Sequence, residues 1–97
     1  MAELQRMRVA LVLLLSEENS RLLSRRQRVA GKEIELMCAE RDLEQGKDPE
    51  GVRQRLDELY LEDAVVRKAL SETEQEIERM EGLMARVDAD ISALCQS

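Results

Sequence analysis

Few residues in this chain can do covalent or acid–base chemistry. There is no His, which removes imidazole acid–base catalysis, the Ser–His and Cys–His pairs, and mixed Cys/His zinc sites. The two cysteines, Cys38 and Cys95, stand alone with no Cys-x-x-Cys spacing. They read as reduced, half-buried small side chains in a cytoplasmic or nuclear, reducing compartment. The sharper alternative is an intermolecular disulfide. The four glycines, Gly31, Gly46, Gly51 and Gly82, are scattered and lead into no phosphate-binding loop. The one pair with a possible acid–base reading is Lys32 with Asp63. With no pocket and no third group in the pattern, that pair reads as structural. The expectation is therefore a protein that is not an enzyme, with no catalytic residues, no cofactor, no metal and no small-molecule substrate.

Arg21, Arg25, Arg26 and Arg28 form the only basic cluster. The chain as a whole carries 15 basic and 21 acidic residues, a net charge of −6, and that balance opposes phosphate-backbone binding. Nucleic acid is not an expected partner. The charge is unevenly placed, with a basic first third and an acidic remainder. If the chain folds back on itself, Arg21 to Arg28 fall level with Glu72, Glu74, Glu76 and Glu78, which makes the cluster a self-compensated face. Val9 to Leu15 is the only long apolar run. It is too short for a membrane span of about 20 residues. Glu17 and Glu18 follow it where a signal peptide would carry small residues, so neither a membrane partner nor a leader is expected.

What remains is an assembly of helices. At 97 residues the chain has room for one domain. One aromatic residue (Tyr60) among 43% apolar and 37% charged residues is the composition of long helices and coiled coils. The single interruption is Gln45-Gly46-Lys47-Asp48-Pro49-Glu50-Gly51. Gly46 suits the residue that ends a helix. Asp48 suits an N-cap, with Pro49 at the first helical position. The expected elements are helix 1 over about 2–45, a turn at 46–48, and helix 2 over about 49–95, in one domain over 1–97.

Alternating steps of four and three from Val52 reach Leu56, Leu59, Asp63, Val66, Leu70, Thr73, Ile77, Met80, Met84, Val87, Ile91 and Leu94, apolar except at Asp63 and Thr73. The same steps from Leu4 give a weaker seam in helix 1, interrupted by Arg8, Glu18, Arg25 and Lys32. Folded antiparallel, the seams place Leu43 level with Val52, Ala39 with Leu56, Leu36 with Leu59, and Leu15 with Met80. Lys32 then falls level with Asp63, a polar layer expected to set the register. At the flanks, Asp42 is expected beside Arg55 and Arg21 beside Glu76, while Glu35 meets Glu62 unfavourably. The fold class is thus all-α, an antiparallel coiled-coil hairpin of two long helices.

One seam does not account for every apolar side chain. Val9, Leu13, Leu23, Ala30, Ile34 and Met37 lie on the side of helix 1 away from it, and Tyr60, Leu61 and Val65 add to this surface from helix 2. Apolar residues beyond the seam are characteristic of three- and four-helix bundles. The functional expectation is a coiled-coil structural or interaction subunit. It would self-associate or bind a partner helix through these residues. A second reading is a small acidic chaperone or export adaptor for a client protein. Some chaperones of bacterial secretion systems are similar in size and charge, but no motif here identifies that family.

Overall fold

A computed structural model of the chain describes residues 1–96; Ser97, the last residue of the expected domain, lies outside the described residues. It is an antiparallel hairpin of two helices, α1 (Ala2–Glu44) and α2 (Pro49–Gln96). α1 ends one residue before the expected bound and α2 one residue beyond it.

The turn is built by its sequence. Gly46 adopts φ 70°, a conformation open to glycine because it has no Cβ. That allows the Lys47 N–H to donate to the Asp42 carbonyl at 3.0 Å and the Gly46 N–H to the Leu43 carbonyl at 3.1 Å. This is the Schellman arrangement, which satisfies carbonyls that the helix end would otherwise leave unpaired. Asp48 also takes a positive φ of 38°, which Asp tolerates better than most residues. Its carbonyl accepts the first α2 hydrogen bond from the Val52 N–H at 2.9 Å. Its carboxylate lies against Gly51, where an added Cβ would overlap it. Gly51 therefore leaves the N-cap side chain room in the first turn of α2.

Contacts group the chain into two compact units, a turn-proximal one over Leu23–Ser71 and a terminal one formed by Met1–Leu22 with the residues from Glu72 onward. In the turn-proximal unit Ala39, Leu56 and Leu59 are buried, with Leu36, Leu43 and Val52 packed against them. These are the three layers nearest the turn in the expected register. Val29 is buried further along, and Leu59 is its unit's most enclosed side chain at 1% exposure. In the terminal unit Ile77, Met80 and Val87 are buried, Leu4, Leu11, Leu15 and Leu22 are half-buried, and Arg8 Nε pairs with Asp88 Oδ1 at 2.8 Å.

The exposure pattern follows the heptad steps closely. Every seam position of α1 is at least half-buried except Arg8, and every seam position of α2 except Leu94. Two polar residues are accommodated inside the terminal seam. Thr73 is 1% exposed, and Glu18 is buried with a hydrogen bond from Arg21. Cys38 and Cys95 are both exposed free thiols. The expectation of half-buried cysteines is corrected here, because both lie off the seam steps.

Candidate functional site

The seam's polar layer is the natural place to look for a chemical site. Lys32 and Asp63 are both half-buried on the seam, yet their ion pairs go elsewhere. Lys32 Nζ reaches Glu62 Oε2 at 2.7 Å and Glu35 Oε1 at 3.5 Å. Asp63 Oδ2 accepts from Arg67 Nε at 2.9 Å, and Arg67 also binds Glu33 Oε1 at 2.7 Å. Each charged head leaves the apolar centre of the seam for an opposite, water-facing edge, as long amphipathic side chains do. Asp63 is too short to leave entirely, and its Oδ1 stays buried with no hydrogen-bond partner.

On the Lys32 edge the result is a network. Glu35 and Glu62, which the sequence sets against each other, are bridged by two cations. Arg55 holds Glu35 at 3.1 Å and Glu62 at 3.6 Å, opposite Lys32. Arg55 therefore turns away from its expected partner Asp42, which meets Lys47 at 3.8 Å. On the other edge the Tyr60 hydroxyl donates to Glu40 Oε1 at 2.9 Å, and the carboxylate holds the phenol above its ordinary value. Arg21 pairs with Glu18 of its own helix and Arg79 with Glu76, in place of the expected Arg21–Glu76 contact. Arg25 donates to the Ala69 carbonyl at 3.4 Å.

The Lys32 hydrogen bond, with Lys32 and Arg55 charges beside it, holds the Glu62 carboxyl below its ordinary value near 4.5. A depressed carboxyl stabilises the fold above the unfolded value and loses that contribution as pH falls through the folded value. The turn-proximal unit should therefore weaken below about pH 4.5. Thermal melts from about pH 5 to pH 3 should show a smaller acid loss for Glu62→Gln than for the parent chain. Equal slopes would mean that the network carries no linkage. Lys32, raised by the same hydrogen bond, acts at the other limit, where stability is lost as pH rises past the ordinary lysine value.

None of these groups faces an enclosed cavity beside a nucleophile. Among the described residues, no group of three His, Cys, Asp or Glu is placed to hold a metal, and no helix is long and apolar enough to cross a membrane. Beside these charged groups the helices expose an apolar surface.

That surface is extensive. Val9, Leu13, Leu23, Ile34, Met37, Tyr60, Leu61 and Val65 are all large exposed side chains, with Leu61 at 72% and Val65 at 69%, and Ala30 is exposed as well. They do not form one face. Leu61 and Val65, one helical turn apart, line a shallow groove of about 340 Å³ with Lys32, Glu62 and Val66. Tyr60, one residue before Leu61, projects about 100° away toward Glu40. Ala30, Ile34 and Met37 follow each other along the outer side of α1.

The terminal unit contains a feature that the residue-type search passed over. Leu4, Met7, Ala10 and Leu11 of α1 and Leu83 and Val87 of α2 line an apolar cleft of about 400 Å³, rimmed by Arg86 and Asp90. Its signal in the sequence is Met7 and Leu83, apolar side chains one step outside the seam. Between Val9 and Leu15 only Leu11 and Leu15 are even half-buried, and Val9, Ala10, Val12, Leu13 and Leu14 are exposed. Helix that is apolar on every side normally lies inside a protein. No family model, curated protein or solved structure matches the chain.

Proposed function

We propose that this chain is a non-catalytic interaction subunit. Its seam holds the hairpin together, and its outer apolar residues pack against helices of a protein partner within a larger assembly. One observation carries this reading. Large apolar side chains, among them Leu13, Ile34, Met37 and Leu61, stay more than 60% exposed on helices whose seams are already filled. Exposed apolar surface beyond scattered single residues marks sites of association. The side chains able to do acid–base work support the same reading, since Lys32, Glu62, Asp63 and Arg67 are engaged with one another or with neighbours.

The test is the mass of the species purified from its native source. The expected result is a stoichiometric complex or oligomer heavier than one 11.1 kDa chain. Asp substitution at Leu13, Ile34 or Leu61 should dissolve it while helical circular dichroism is retained. A chain that purifies as a lone, well-folded monomer contradicts the proposal.

A further inference from the structure

We propose that the apolar surface of the terminal unit is covered by a second copy of this chain, α1 against α1, antiparallel about a two-fold axis. The inference rests on the association proposed above and names its partner.

The first support is area. The chain exposes 7195 Å². A compact monomeric protein of 11.1 kDa would expose about 5,700 Å². The difference, about 1,500 Å², is spread along both helices, and a contact between α1 helices would cover part of it.

The second support is charge. Arg6, Ala10, Leu13 and Glu17 follow each other by steps of four, three and four, the spacing of a coiled-coil seam. All four are exposed, and neither Arg6 nor Glu17 makes an ion pair among the described residues. An antiparallel second copy places Arg6 level with the partner's Glu17 and Ala10 level with the partner's Leu13. The two-fold axis repeats both pairings, as an isologous interface requires. A parallel arrangement would set Arg6 against the partner's Arg6 and Glu17 against the partner's Glu17, and like charges would oppose it. The basic start and acidic end of one apolar segment therefore select both the partner and its direction.

The third support is shape. Ala10 is a small residue lining the 400 Å³ cleft, together with Met7, Leu11, Leu83 and Val87. In the antiparallel register the partner's Leu13 sits over Ala10, a large side chain above a small one.

Sedimentation equilibrium of the full chain at tens of micromolar tests this. The expected mass is twice 11.1 kDa. Leu13→Asp should give a monomer with unchanged helicity, because Leu13 is 61% exposed and off the seam. Arg6→Glu and Glu17→Arg should each weaken the dimer about 30-fold, since two symmetric contacts pass from attraction to repulsion. An equimolar mixture of those two variants should recover parental affinity, because each then meets the opposite charge at both contacts. The doubly swapped Arg6→Glu/Glu17→Arg chain should recover it too. Arg6 and Glu17 lie about 16 Å apart along one helix, so neither recovery can arise within a chain. A monomeric parent chain, a dimer indifferent to Leu13→Asp, or a mixture no tighter than its components would overturn the inference. A chain that is monomeric alone but joins a different protein in a stoichiometric complex would overturn it while leaving the proposed function standing.

Discussion

Leu59→Asp should abolish the hairpin: the variant should lose its cooperative melt and most of its helical signal. Leu59 is 1% exposed, packed with Ala39 and Leu56 and bracketed by Leu36, Leu43 and Val52. A carboxylate there has no cation in the layer and no route to water, so it must stay buried and unpaired or separate the helices. The milder Leu59→Ala should cost about 3 kcal/mol through lost burial and the cavity left behind. That is a large share of the roughly 5–15 kcal/mol that holds a small domain together. Most helical stability in proteins comes from packing of an apolar face rather than from intrinsic propensity. Loss of the seam should therefore appear as loss of helix. A Leu59→Asp chain that melts cooperatively at the parental temperature would show that the seam is not what folds this protein.

Asp63→Leu should act in the opposite direction and stabilise the fold, by about 1–3 kcal/mol. Asp63 occupies a seam position between Leu59 and Val66, with Oδ1 buried and without a partner. Its ion pair with Arg67 at 2.9 Å lies on the water-facing edge, where such pairs contribute little. Arg67 would keep Glu33, at 2.7 Å. Leucine removes the unpaired oxygen and continues the apolar column of α2. Denaturant midpoints of the parent and Asp63→Leu chains decide it, and a lower midpoint for Leu would mean that the Asp63–Arg67–Glu33 set contributes more than the buried oxygen costs. A polar residue at a seam position restricts register and alignment at such a cost in stability.

The architecture was legible because it depends on period and punctuation. Apolar residues at steps of four and three leave little choice of buried face, and Val52 to Ile91 fill nearly every such step. Gly46, Asp48 and Pro49 mark the turn because each residue type suits its backbone position. Together they fix which layers meet, which is why Leu36 could be set against Leu59 from the sequence. The charged groups were less legible. Lys32 and Asp63 do share a level, but a lysine with four methylenes can choose between edges, and it chose Glu62. The same freedom let Arg55 leave Asp42 for Glu35 and Glu62, turning an expected repulsion into a bridge. Sequence spacing fixes where a Cβ lies, whereas the far end of a long side chain goes wherever the local charges and water favour.

The outer surface was legible residue by residue but not as a shape. All nine apolar residues assigned to it, Val9, Leu13, Leu23, Ala30, Ile34, Met37, Tyr60, Leu61 and Val65, are exposed. Tyr60, however, projects away from Leu61 and Val65 toward Glu40, which levels along the chain could not reveal. The cleft lined by Met7 and Ala10 needs both helices to exist, since Leu83 and Val87 supply one of its walls. Beside it, Val9 to Leu15 holds a surplus, more apolar side chains than one seam can bury.

The central claim is that one chain folds back on itself and leaves that surplus outside. Pulsed electron paramagnetic resonance tests it most directly, with spin labels at Gln5 and Ala89 of a chain whose exposed Cys38 and Cys95 have been replaced by Ser. Labelled chains are diluted into unlabelled ones, so that only distances within a chain are read. Paired helices lie about 8–10 Å apart, and the account predicts a label separation of about 20 Å, since Arg8 and Asp88 are in contact. A separation beyond about 60 Å, as a straight rod or helices exchanged between chains would give at 1.5 Å per residue, would contradict it.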